Sequence, residues 1–194
     1  MILVTHFCAT DGGEAVKITV DVDGEEETYV VSAADHFTLS LRKGEIDGET
    51  YVSLRLAADH YKAVRLASSL SAHSPCSAKR LFGKLRQRGI SAGDAQYAVE
   101  FLLRIGFLDE HWQIQSYLAD MVGKKHMGRR KVVPALLQKG YPSAKINAVL
   151  EAHYTENDFS EAKRAFLLKK FGKTSPATRE EAETMKKALY KWGF

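Results

Sequence analysis

Apolar residues recur along this chain with two different periods, and the change between them divides it. Val16, Ile18, Val20 and Val22 alternate with Lys17, Thr19 and Asp21, the period-two mark of a half-buried strand. Asp23-Gly24 supplies a hairpin turn, and Thr28-Tyr29-Val30-Val31 runs back. The largely apolar stretch 1–9 predicts a strand of its own. It has no basic start and Asp11 follows soon, which argues against a signal peptide. Phe37, Leu39 and Leu41 alternate again and predict either a third strand or an irregular helix, followed by a turn-rich connection over 42–48.

From about Thr50 the spacing is helical throughout. A helix over 51–71 turns Leu54, Ala58, Tyr61, Val64, Leu66 and Leu70 inward. Ser74-Pro75 opens a helix over 75–88, since serine caps free N–H groups and proline suits a first turn. Ser91, with Asp94 three residues on, caps 92–105, whose inner face is Ala95, Val99, Leu102 and Ile105. Asp109 caps 110–125, with Trp112, Ile114, Tyr117, Leu118, Met121 and Val122 inward. A helix over 129–139 contains Pro134, so it either starts late, near Val133, or is kinked. Helices over 144–154, 159–171 and 177–192 complete the chain, the last opened by Ser175-Pro176.

One helix ending recurs. Leu85-Arg86-Gln87-Arg88-Gly89-Ile90 is echoed by Leu136-Leu137-Gln138-Lys139-Gly140-Tyr141, 51 residues later, and by Leu189-Tyr190-Lys191-Trp192-Gly193-Phe194, a further 53. The shared pattern is Leu-x-x-x-Gly-hydrophobe. Three copies at near-constant spacing predict an internal repeat of about fifty residues, although Leu102–Phe107 fits the same pattern out of phase. The expected organisation is an acidic β-containing region (1–58), a three-helix repeat (59–108), a second (109–157) and a truncated third (158–194).

Charge sharpens that division. Residues 1–58 hold four basic and eleven acidic side chains, whereas 59–194 hold twenty-four basic and thirteen acidic. A basic helical body favours a polyanionic partner or an acidic protein surface. In the first repeat the cations are Lys79, Arg80, Lys84, Arg86 and Arg88. Arg80, Lys84 and Arg88 stand four residues apart and share a helix face. In the second they are Lys124, Lys125, Arg129, Arg130, Lys131 and Lys139. Aligned on the glycine, Lys79-Arg80 falls on Arg130-Lys131 and Arg88 on Lys139. Contacts to several phosphates would make binding steeply salt-dependent. No Arg or Asn is placed for base reading, so sequence-independent binding is expected.

Catalytic patterns do not emerge. Gly12-Gly13 lacks the lysine-hydroxyl pair of a phosphate-cradling loop, and the seven histidines form no His-Glu-x-x-His. Asp109-Glu110-His111 has the residue types of a ligand trio, but acids at a helix start more simply complement its dipole. Glu25-Glu26-Glu27 reads as a solvated hairpin rim. Cys8 and Cys76 are the only cysteines and predict two reduced, partly buried thiols rather than a metal site. No cofactor or metal and no enzymatic role is expected. The apolar runs are far shorter than a membrane span, and the expected location is the cytoplasm.

The motifs together resemble the RecX family, bacterial modulators of the RecA recombinase. Those that carry the resemblance are Ala63-Val64-Arg65-Leu66-Ala67 and Lys84-Leu85-Arg86-Gln87-Arg88-Gly89-Ile90, then Leu102-Leu103-Arg104-Ile105-Gly106-Phe107-Leu108-Asp109-Glu110. Gly128-Arg129-Arg130-Lys131 and Leu136–Tyr141 follow in order. The resemblance covers about 60–194 and extends more weakly to Asp23-Gly24 and Leu41-Arg42-Lys43-Gly44. It implies a mainly α fold of tandem three-helix repeats in an elongated curved array, preceded by a small β-hairpin-containing region. It also implies a monomer lying in the groove of the RecA–single-stranded DNA filament, with double-stranded DNA a lesser partner. There it would inhibit strand exchange, coprotease activity and ATP hydrolysis, and so modulate DNA repair and the SOS response. The binding role would fall on the eleven cations named above. Three features depart from the family pattern: Gln113-Ile114 where an aromatic-Ala pair is usual, Pro134 inside the second basic helix, and the short third repeat. The alternative reading is a basic helical DNA-binding regulator that acts without RecA.

Overall fold

The computed structural model describes residues 1–194. Four strands form one antiparallel sheet in the order β3-β2-β1-β4: β1 (Ile2–Thr10), β2 (Ala15–Val22), β3 (Glu25–Ser32) and β4 (Gly44–Glu45). The predicted hairpin is β2–β3, with Val22 paired to Glu25 across the Asp23-Gly24 turn. Both turn residues have positive φ, as a two-residue turn matched to strand twist requires. The stretch 1–9 is a strand, joined to β2 by a short 3₁₀ turn at Asp11–Gly13.

Of the two readings of Phe37, Leu39 and Leu41, the helix is found: α1 spans Ala33–Leu39, capped by the Ser32 side chain, which accepts from the Asp35 amide. Helix α2 (Gly48–His73) covers the sheet. Its Leu54 joins Val4, Ile18, Val20 and Val31 in a core from which water is excluded. Two links tie sheet to helix. The Glu27 carboxylate accepts hydrogen bonds from the Tyr29 and Tyr51 hydroxyls. Asp11 accepts from the Tyr61 hydroxyl at 2.8 Å and from Arg65 at 2.6 Å.

Every regular element from residue 48 on is helical: after α2 come α3 (Ala78–Gln87), α4 (Ala92–Arg104), α5 (Glu110–Leu118), α6 (Arg129–Gln138), α7 (Ser143–His153), α8 (Glu156–Phe171) and α9 (Arg179–Trp192). The fold is thus mainly α, in tandem three-helix repeats behind a small sheet. By contact the chain falls into two compact units, residues 1–74 with 81–107, and residues 75–80 with 108–194. In the first, His60 of α2 stacks on Tyr97 of α4 at 3.6 Å between ring centres, and Leu81, Leu85, Ala95, Ala98 and Leu102 are buried. In the second, Ile114, Leu118, Val132, Leu136, Ile146, Val149 and Leu150 form the centre of a continuous core.

Several expectations are corrected. Helix α3 begins at Ala78 rather than 75, and α9 at Arg179 rather than 177. Ser74 is extended, with φ −158° and ψ 121°, because the proline after it disfavours helical backbone. The residues that cap these helices are Ser77 and Thr178. Helix α6 starts at Arg129, so Pro134 sits well inside it and leaves the Arg130 carbonyl without its helical donor. The helix predicted over 110–125 ends at Leu118 and continues as a π-helical turn, Ala119–Lys124. Trp112 and Ile105 face outward, 60% and 55% exposed, while Glu110 and Gln113 are buried. Their polar groups have partners, as burial demands: Gln113 accepts from the Tyr141 hydroxyl at 2.7 Å. Cys76 is buried, but Cys8 is exposed.

Candidate nucleic-acid interface

The recurring glycine builds a joint. At the end of α6, Gly140 has φ +91°, and a Cβ there would lie 2.6 Å from Ser77 Oγ and 3.6 Å from Lys79 Cβ. The Ser77 hydroxyl donates to the Lys139 carbonyl at 2.9 Å and accepts from the Arg80 amide at 3.3 Å. Arg80 Nη2 donates to the Gln138 carbonyl at 3.1 Å. At the end of α9 the same construction recurs. Gly193 has φ +93°, and a Cβ there would lie 2.6 Å from both Lys131 Cβ and N. The Trp192 and Gly193 carbonyls accept from the Gly128 and Arg130 amides at 2.9 and 3.1 Å. Gly128 is the counterpart of Ser77, 51 residues on, and a Cβ there would meet the Gly193 carbonyl at 2.2 Å. The C-terminal end of one repeat's second helix therefore caps the N-terminal end of the preceding one, through the Ser77 side chain at the first joint and at backbone contact that only glycine allows at the second. Gly89, the first in the series, meets nothing within 4 Å of such a Cβ.

Glu110 strengthens the first joint. Only 4% exposed, it accepts from the Ala78 amide at 2.8 Å and from Lys145 Nζ at 2.6 Å. The acid expected to serve its own helix start thus caps α3. Asp109 does the local work, accepting from the Trp112 amide at 2.9 Å. Aromatic packing closes the second joint: Trp192 stacks on Phe166 at 5.4 Å, and its indole N–H donates to the Lys125 carbonyl at 2.9 Å.

These joints sort the eleven predicted cations. Lys79, Lys84, Arg88 and Arg130 have neither ion pair nor side-chain hydrogen bond within the chain. Arg86 Nη1 donates to the Ile90 carbonyl at 2.6 Å, tying down the end of α3. Arg80 is committed to Gln138, as above. Lys131 Nζ sits 3.8 Å from the centre of the Trp192 ring, and Lys139 Nζ 4.5 Å from that of Tyr117, both cation–π contacts. Lys124 and Lys125 pair with Asp120, whose carboxyl is held below its usual range chiefly by the hydrogen bond from Lys125. Arg129 approaches Glu156 at 3.8 Å, an exposed pair of little energy. The expected stack of Arg80, Lys84 and Arg88 is shortened, because α3 ends at Gln87 and Arg88 lies in the turn beyond.

A groove that the two-repeat comparison passes over adjoins α6. It has a volume of 770 Å³ and is lined by Arg130 of α6, Lys163 of α8, and Glu183, Lys186, Lys187 and Tyr190 of α9. A second groove of 610 Å³ shares Arg130 and Lys163 with it and adds Arg129. Aligned on Gly193, Lys186-Lys187 falls on Val133-Pro134 rather than on Arg130-Lys131. The positional match that picked out the first two repeats therefore misses these lysines. The signal was the lysine density of 163–191 itself.

No helix is long and apolar enough to cross a membrane. No family model matches the chain. Among solved structures, the chain is similar over its whole length to a crystal structure of the regulatory protein RecX, with a TM-score of 0.78 and 19% identity, covering 95% of that chain. It is similar over 70% of its length to RecX from Lactobacillus salivarius, with a TM-score of 0.61 and 19% identity, covering 88% of that chain. At this identity the likeness establishes a shared fold.

Proposed function

We propose that this chain is a RecX-type regulator that binds RecA–single-stranded DNA filaments and inhibits recombinase, ATPase and coprotease activities without chemistry of its own. What supports the reading most is the fold shared with a regulatory protein RecX from end to end of this chain. The placement of charge agrees with it. Arg129, Arg130 and Lys131 crowd the first turn of α6, where cations oppose the helix dipole at a cost of about 0.3–1 kcal/mol each. Lys131 and Arg129 have internal partners that offset this cost, but Arg130 has none, so stability does not favour its position, whereas an anionic partner does. The cations with no internal partner, Lys79, Lys84, Arg88 and Arg130, are the leading contacts. Arg80, Arg86, Lys131 and Lys139 hold the repeats together as well. Lys124, Lys125 and Arg129 exchange weak surface pairs for phosphate or carboxylate.

The test is RecA ATP hydrolysis on single-stranded DNA, with this protein well below the RecA concentration and DNA in excess. Inhibition that further DNA does not relieve is the expected result and means action on the filament. No inhibition, or inhibition abolished by added DNA, overturns the reading in favour of a DNA-binding regulator independent of RecA.

A further inference from the structure

We propose that the groove between α6, α8 and α9 binds single-stranded nucleic acid, with Tyr190 as a stacking platform and Arg130, Lys163, Lys186 and Lys187 as phosphate partners. This deepens the filament reading, on which it rests for its partner, by giving the third set of helices its own contact with the strand. The four cations come from three different helices and converge on one 770 Å³ concavity. None of them has an ion pair or side-chain hydrogen bond within the chain, and Glu183 is the only acid on that wall. Tyr190 is 75% exposed, although it stands in the same groove as Leu189 and Phe194. A large aromatic ring left open beside unpaired cations is the combination that single-strand binders use, phosphate tracking plus base stacking. A ring face can be covered only by a base free of its duplex neighbours, so the arrangement favours a single strand over a duplex. With no side chain placed to read base edges, binding is sequence-tolerant.

The experiment is fluorescence anisotropy of labelled oligo(dT), and of a duplex of equal length, with the full chain and no recombinase present. The variants are Lys186→Glu with Lys187→Glu, Tyr190→Ala and Tyr190→Phe. All three positions are exposed, and circular dichroism checks that each variant folds. The double lysine variant is expected to bind oligo(dT) at least about tenfold more weakly and to lower the salt slope by about 1.4, two single-strand phosphate contacts. Tyr190→Ala is expected to weaken oligo(dT) binding about 5- to 150-fold, the range for a lost stacked base. The same variant should leave duplex binding unchanged, and Tyr190→Phe should match the wild type. Unaltered oligo(dT) binding in both the lysine and the alanine variants overturns the proposal. So does a lysine variant that loses single strand and duplex equally while Tyr190→Ala is silent, since that marks a general polyanion surface. RecA ATP hydrolysis measured in parallel separates the two readings. Tyr190-dependent oligo(dT) binding without ATPase inhibition keeps this site and removes the filament assignment; inhibition without Tyr190-dependent binding does the reverse.

Discussion

Gly193 and Lys131 touch backbone to backbone: a methyl group on the glycine would stand 2.6 Å from the lysine amide nitrogen. Gly140 stands in the equivalent place beside Ser77, where the near atom is the side-chain hydroxyl, at 2.6 Å. The fifty-residue recurrence in the sequence is thus the recurrence of one joint. Each glycine both ends a helix and lets that end press on the start of an earlier one.

Gly140→Ala and Gly89→Ala should therefore differ sharply. Both force alanine into left-handed backbone, at about 1–2 kcal/mol. Only Gly140→Ala also overpacks a contact, at about 1–3 kcal/mol more. Urea unfolding followed by circular dichroism should show the larger loss for Gly140→Ala by at least about 1 kcal/mol. Equal losses would mean that the joint yields freely.

Glu110 is a buried carboxylate with two partners on other helices. Glu110→Ala strands the Ala78 amide and should destabilise by about 1.5–3 kcal/mol, the range for a hydrogen bond to a charged group. Glu110→Gln keeps an acceptor for that amide and should cost less. Lys145→Ala leaves the cap in place but strands a buried carboxylate, so it should cost more than Glu110→Gln. Thermal melts of the three variants check the order.

The cations separate by what they already hold. Lys84→Glu should weaken filament binding at an unchanged melting temperature, and Arg130→Glu should weaken it while raising the melting temperature slightly, because an acid replaces a cation at the start of α6. Arg86→Ala should instead lower the melting temperature, since it removes the bond to the Ile90 carbonyl. Lys131→Ala should do the same through loss of the Trp192 contact, worth about 0.5–2 kcal/mol. A triple reversal of Arg129, Arg130 and Lys131 mixes both effects. Pull-down on RecA filaments together with melting curves resolves them.

Acid should destabilise the protein over a defined window. Asp47 and Asp158 are held below their usual range by amide hydrogen bonds from Thr50 and Thr155. Glu181 is lowered by Lys173 and then the Ala177 amide, and Glu27 by the Tyr29 and Tyr51 hydroxyls. A carboxylate lowered in the folded state contributes its full stability above its unfolded pKa, about 4, and loses it as pH falls through the folded value. These groups should leave the melting temperature flat from pH 7 to about 5 and lower it below about 4.5. Glu181→Gln, which cannot ionise, should fall less steeply.

Local signals were legible in the chain. Ser91 with Asp94, and Asp109, cap their helices from within three residues, and the β2–β3 hairpin is written in period two. Signals that depend on distant partners were not. Ser77 caps α3 locally through the Arg80 amide, but its second bond, to the Lys139 carbonyl 62 residues away, has no local mark. Glu110 looked like a local dipole partner because Ala78 lies 32 residues before it. Hydropathy turned Trp112 inward, but the helix is phased by Glu110 and Gln113, whose polar groups find partners inside. On the interface, matching positions between repeats found the cations of α3 and α6. It missed Lys186 and Lys187, which reach the same side of α6 from a different helical register.

The backward direction of the joints bears on how the protein is made. The first turn of α3 waits for Glu110 and then for residues 138–140, and the first turn of α6 waits for Trp192 and Gly193. During synthesis each of the first two repeats therefore leaves the ribosome exit with one helix start still bare, and the following repeat finishes it. At about 5–20 residues per second, the partner 62 residues away arrives seconds after the helix itself is able to form. Arrival of the following repeat, rather than growth of the helices themselves, then sets the pace at which the second unit matures.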